Sequence, residues 1–271
     1  MSLRVGRIPF LVCAPFFHDF LGREGEYREF DFVDGPPSAH CAGLMDGSID
    51  LSPASSITFA LKPGAFVLSP SLCTSCSFEV RSVKLFSRYP IESLGGRTVR
   101  ITSQSRTSVA LLRILLEMRY GLKPAYVQGF AAEDGDDACL LIGDMALEEN
   151  ERGRFEYNYD LGSLWQEWQG LPFVFGAWVI SKAAAQENRA GLERYMDLTE
   201  RSIEKFRADV GASLDRWLAR YPVHLPRTVV EDYYSFLDYR FTEERKRSLS
   251  LFLSLAARMC LTEQAQPLEF L

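Results

Sequence analysis

The sequence predicts an α/β protein of two lobes with a helical C-terminal region, and three observations carry that expectation. Residues 3–61 read strand–helix–strand–helix, the order of a largely parallel sheet. Residues from about 90 to 172 repeat a βαβ-type order. From Ala183 onward every periodic stretch is helical, over 183–208, 211–220, 227–238 and 243–260.

The elements follow in order. Leu3–Ile8 reads as a strand and Pro15–Leu21 as a helix. Tyr27–Phe32 alternates polar and aromatic residues, a strand pattern. Ser38 is placed to cap a helix that Gly47 ends. Ile49–Leu51 is a brief strand, after which Ser52–Ser56 opens a helix over Ile57–Leu61. Phe66–Leu72 and Phe78–Ser87 are strands, with Ser82 alternating onto the face of Val80 and Lys84. Thr98–Ile101 is a strand, the polar loop Thr102–Ser105 leads into a helix, and Gly121 stops it. Ala125–Phe130 and Ala138–Ile142 are strands, and Gly143-Asp144 begins a helix over Met145–Glu149. Leu171–Ile180 is an apolar strand.

If Val80–Ser87 and Leu171–Ile180 are two crossovers, residues 1–88 with 175–271 form one lobe and 89–174 the other. A ligand cleft then lies between them, at the carboxyl ends of the strands.

Composition narrows the function. The 271 residues are 47% hydrophobic and 24% charged, which excludes disorder. Thirty basic against 36 acidic residues give a net charge of −6, without the basic footprint of a nucleic-acid binder. A small anionic partner is still allowed, because a site can be locally positive in an acidic protein. The longest apolar run, Leu171–Ile180, has ten residues, against the ~20 a membrane helix needs, so no membrane partner is expected. Arg4 and Arg7 precede an apolar stretch, but Pro9 and Pro15 break it and no small-residue cleavage site follows. The expectation is a cytoplasmic protein. In that compartment the six cysteines are free buried thiols. Cys73 and Cys76 form a lone CxxC ahead of a strand, and with three histidines in the chain neither a zinc site nor a thioredoxin-like redox pair is expected.

Small hydroxyl residues cluster where strands end and helices begin. In Ser105-Arg-Thr-Ser108, hydroxyls and unpaired helix N–H groups suit a carboxylate, although ordinary capping is the competing reading. The same choice holds for Ser55 and Ser56. Asp144 is a general base or a helix cap. His18, His40 and His224 are scattered, and Trp165, Trp168 and Trp178 either stack on an aromatic ligand or fill core. Periodicity and composition thus reach a two-lobed α/β protein whose cleft suits a small anion.

Five segments together resemble the chorismate dehydratase family of the futalosine route to menaquinone: Arg7–Pro15, Ser82–Ser87, Ser103–Val109, Leu141–Asp144 and Asp160–Phe175. The block Trp165-Gln-Glu-Trp-Gln-Gly-Leu-Pro-Phe-Val-Phe175 is the most specific. The resemblance implies a periplasmic-binding-protein-like fold of type II. It also implies a lyase that dehydrates chorismate to 3-[(1-carboxyvinyl)oxy]benzoate without metal or cofactor. It makes Ser82 the catalytic or orienting residue. Ser105, Thr107 and Ser108 become the loop that grips a carboxylate, and Ser55 and Ser56 part of the first lobe's lining, with Val12, Cys13 and Asp144 beside them. The family motif after the first strand usually reads aromatic-Leu-Asn-x-x-Pro, and here Val12 stands at the asparagine position in Phe10-Leu-Val-Cys-Ala-Pro15. The second reading is a non-catalytic cleft protein that binds a small carboxylate.

Overall fold

The computed structural model describes residues 2–264 and 266–271. Among the described residues eleven strands form two sheets. In chain order they are β1 (Leu3–Arg7), β2 (Phe30–Asp34), β3 (Leu51–Ser55), β4 (Phe66–Cys76), β5 (Val83–Ser87), β6 (Thr98–Thr102), β7 (Ala125–Gly129), β8 (Ala138–Ile142), β9 (Tyr157–Asp160), β10 (Phe173–Ser181) and β11 (Asp238–Arg240). The first sheet has the order β11-β4-β10-β3-β1-β2, and the second β7-β6-β8-β5-β9.

Each sheet has the expected parallel part. β1 pairs in parallel with β2, from Leu3↔Phe30 to Arg7↔Asp34, and with β3. β6 does so with β7 and β8. Within each sheet one interior strand runs antiparallel to both its neighbours: β10 lies between β3 and β4, and β5 between β8 and β9; β11 is also antiparallel, at the edge beside β4. The expected boundary at residue 88 therefore moves. β5 belongs wholly to the second sheet, so the chain crosses at residues 77–82 and returns after β9. The two crossings touch at Gly162, where a Cβ would stand 2.5 Å from Cys76 Sγ and 2.6 Å from the Phe78 carbonyl oxygen, so only glycine fits.

Several local expectations change for identifiable reasons. Ser52–Ser55 continue the strand at Leu51 rather than open a helix, because Val5 of β1 and residues 176–180 of β10 pair with β3 on its two sides. Ser38 does not cap its helix, which starts at Pro37 with Pro36 at the cap position; the end at left-handed Gly47 stands. Cys73 and Cys76 lie within β4, not ahead of a strand, and both are buried and free. The apolar stretch 227–238 is a helix only to Tyr233, and Asp238–Arg240 leaves it to edge the first sheet as β11.

The core of the first lobe is aromatic. Phe16 and Phe17 of the helix Ala14–Phe17 pack on Trp178 of β10, and Phe20 stacks on Tyr195 of the helix Arg189–Ala208. Helix Glu243–Arg258 reaches both lobes: it packs on β10 and on helix Arg106–Ile114, and its Ser248 hydroxyl accepts from Trp165 Nε1 at 3.2 Å. Trp165 and Trp178 are thus core, not stacking platforms. Among the described residues no helix is long and apolar enough to cross a membrane.

Candidate functional site

The carboxyl ends of β1, β3 and β8 converge on one cavity between the sheets, of about 90 Å³. Ile8, Phe10, Val80, Val83, Ile142 and Phe175 make its apolar walls. Its polar groups are the hydroxyls of Ser55, Thr74, Ser82, Ser105 and Ser108 and the Cys13 thiol. Among the described residues no Lys, Arg, His, Asp or Glu lines it, and no group of three His, Cys, Asp or Glu could hold a metal ion.

Of the nine residues singled out in the sequence, six line this cavity: Val12, Cys13, Ser55, Ser82, Ser105 and Ser108. Ser56 and Thr107 lie just behind it and join the lobes. Their oxygens stand 3.3 Å apart, Ser56 Oγ donates to the Val174 carbonyl at 2.8 Å, and Thr107 Oγ1 accepts from Ile57 N–H at 3.0 Å. Ser55 and Ser105 also meet across the lobes at 3.4 Å. Neither Ser55 nor Ser56 caps a helix; Ser55 ends β3, and Ser56 starts a short 3₁₀ turn. Ser105 does cap: its Oγ accepts from Ser108 N–H at 3.2 Å and contacts Ser108 Oγ at 3.0 Å. The Arg106 and Thr107 N–H groups of that first turn keep no partner among the described residues.

Asp144 is neither in the cavity wall nor a cap. Gly143 holds the cap position, and Asp144 Oδ1 accepts from Leu11 N–H at 3.3 Å, tying the second lobe to the loop that carries Val12 and Cys13. Burial of the carboxyl pushes it up to about 7, with the Leu11 N–H working in the opposite sense. Two tyrosines from the C-terminal region hold the same loop: Tyr234 donates to the Leu11 carbonyl at 2.8 Å and Tyr239 to the Val12 carbonyl at 2.9 Å. Burial pushes the Cys13 thiol well above its ordinary value, so it is not a thiolate.

Ser82 is not a strand residue. It sits in the turn before β5 and is fixed from three sides. Its N–H donates to the Val80 carbonyl at 2.7 Å, its carbonyl accepts from Gly143 N–H at 2.7 Å, and its Oγ lies 2.7 Å from the Tyr233 hydroxyl. Sequence reasoning missed Tyr233, Thr74 and Phe175. The adjacent Tyr233-Tyr234 pair, in the stretch 227–238 read as helix, was an available signal.

His18 and His40 take no part in the cavity. His40 contacts Ser52 Oγ and the Val33 carbonyl; burial lowers it to about 4, with the Val33 carbonyl and Asp34 working in the opposite sense.

Solved structures share this architecture. The protein AF1704 from Archaeoglobus fulgidus matches with a TM-score of 0.74 over 96% of this chain and 98% of that one, at 17% identity. The alkanesulfonate-binding protein SsuA from Xanthomonas axonopodis pv. citri, bound to MOPS, matches with a TM-score of 0.73 over 98% and 96%, at 14% identity. They show the periplasmic-binding-protein-like fold. In sequence, a chorismate dehydratase of Thermus thermophilus is 29% identical over 216 residues, 69% of this chain and 76% of that protein. The menaquinone biosynthesis family model matches residues 3–258, a span that takes in both sheets and every residue of the cavity wall. The chain therefore belongs to the menaquinone biosynthesis family.

Proposed function

We propose that the protein is a lyase that removes water from chorismate to give 3-[(1-carboxyvinyl)oxy]benzoate. The observation that carries this reading is the character of the cavity: five hydroxyls set in apolar walls at the junction of two lobes, without a charged side chain among the described residues. The relative from Thermus thermophilus, a chorismate dehydratase, supports the same substrate.

The reaction asks little beyond orientation. A ring proton leaves, hydroxide departs, and the ring becomes aromatic; the ring carboxylate spreads the charge that develops. Apolar walls such as Phe10 and Phe175 suit the ring, and a water-poor cavity strengthens each hydrogen bond made there. In this reading Ser55, Ser105 and Ser108, with the free Arg106 and Thr107 N–H groups, hold a carboxylate at the helix N-terminus. Ser82 donates to an oxygen of the reacting centre. With no carboxylate or imidazole in the wall, the walls act by positioning and hydrogen-bond donation. The ring proton has a carboxylate of the substrate itself, or water, to go to. Val12 leaves the loop without the side-chain amide usual there, so Ser82 and the helix N–H groups carry the donation. Cytoplasmic residence fits the five thiols that lie buried and free.

Purified protein incubated with chorismate tests the proposal. A product lighter by one water, identified by mass, supports it; unchanged chorismate together with tight binding would favour a carboxylate-binding cleft.

A further inference from the structure

Among the described residues, the Asp160–Phe175 segment contributes only Phe175 to the cavity wall. Its first residue, Asp160, ends β9 with 9% exposure. One carboxylate there serves two pieces of backbone. Oδ1 accepts from Gly162 N–H at 2.9 Å and Ser163 N–H at 3.2 Å, capping helix Leu161–Gln169. Oδ2 accepts from Arg81 N–H at 2.7 Å, and Val80 N–H lies 3.1 Å from both oxygens. The return crossing is thereby tied to the outgoing one, directly before Ser82.

The tied segment is strained. Arg81 has φ of 60°, in the left-handed region that side-chain-bearing residues avoid. The 2.7 Å bond from Ser82 N–H to the Val80 carbonyl closes a three-residue turn around it. Such a conformation persists only where its surroundings over-determine it. Here the surroundings are the Asp160 carboxylate on the Val80 and Arg81 N–H groups. The Arg81 side chain adds an ion pair with Asp232 and a stack on Phe236.

We propose that Asp160 is a positioning residue: it holds the Val80–Arg81–Ser82 turn in its strained form and so aims the Ser82 hydroxyl into the cleft. The inference rests on the reading of Ser82 as a donor to chorismate. It gives the Asp160 carboxylate a duty separate from the helix cap.

The two duties can be separated. Asparagine and serine cap helices about as well as aspartate. In Asp160→Asn, an amide oxygen kept on the Gly162 and Ser163 N–H groups turns the NH2 toward the N–H groups of Val80 and Arg81, donor against donor. In Asp160→Ser the hydroxyl caps but is too short to span both segments. Chorismate turnover and melting temperature are measured for both variants, alone and combined with Ser82→Ala. The expected result is kcat lower by ~10-fold or more, KM within ~3-fold of wild type, and no further loss when either is added to Ser82→Ala. Wild-type kcat in a folded Asp160 variant would overturn the proposal, as would the same loss in the Ser82→Ala background as in wild type. Wild-type protein that leaves chorismate unchanged gives a different failure: it removes the dehydratase reading itself and the positioning role with it.

Discussion

The hydroxyls of Ser82 and Tyr233 stand 2.7 Å apart, both buried, and each is the other's hydrogen-bond partner where the turn before β5 meets the C-terminal helical region. Burial raises the Tyr233 phenol, so it stays neutral. A phenol is the better donor of the two, which leaves the Ser82 proton free to point into the cavity.

Tyr233→Phe removes that donor and lets the Ser82 hydroxyl rotate. We expect chorismate turnover to fall ~10-fold, one ~1.4 kcal/mol interaction at the transition state. We expect stability to fall by about 1 kcal/mol, the usual net worth of one hydrogen bond. Turnover and urea unfolding on the same preparation check both, and unchanged turnover would take Tyr233 out of the mechanism.

Val12→Asn introduces the side chain that the family resemblance implies at this place. Val12 lines the cavity and its backbone is pinned by Tyr239, so the new amide would face the ligand space. If Ser82 and the helix N–H groups already meet the substrate's needs, conversion of chorismate stays at or below the wild-type rate. A rise of ~10-fold or more would mean that the natural cleft lacks a donor and is a binding site or a weakened enzyme.

Asp144 makes stability depend on pH in a stated direction. Its carboxyl stands at about 7 in the folded protein, against about 3.9 in an unfolded chain. The folded state holds the proton more tightly, so this group's contribution is fully present below about pH 4 and is lost as pH rises through about 7. Asp144→Asn should therefore gain on wild type across that interval and run parallel above it. Denaturant unfolding at several pH values reads the difference, and curves parallel throughout would contradict the assignment.

Gly143 combines φ of 59° with ψ of −144°, a region glycine alone occupies readily. A Cβ there would stand 3.2 Å from the Phe10 ring, while the Gly143 N–H holds the Ser82 carbonyl. Gly143→Ala should cost about 1–3 kcal/mol of stability and push Phe10 into the cavity. A weaker melting shift with chorismate, beyond the lower starting temperature, would register the second effect.

Much of the fold was legible because periodicity and loop residues are local signals. Ala138–Ile142 is the strand its apolar run announced, and Gly47 and Gly121 end their helices at positive φ. What local signals missed depended on partners distant in sequence. Ser52–Ser55 became strand through β10, more than 120 residues away, and Asp238–Arg240 through β4. The site divides the same way. Ser105 carried its own motif, and the resemblance brought Ser82 and Val12. Tyr233 and the turn at Arg81 are visible only once the C-terminal region has folded back over the crossing, since nothing in the order Glu79-Val-Arg-Ser82 marks a positive φ.

In the proposed function Ser82 drives the dehydration of chorismate in this cavity. The most direct measurement sets wild type beside Ser82→Ala, both shown to be folded, with chorismate consumed and product identified by mass. We expect wild type to release the dehydrated product and the variant to be slower by ~100-fold or more, the usual cost of removing one transition-state donor. Equal rates would contradict the role of Ser82, and chorismate untouched by wild type would contradict the function itself.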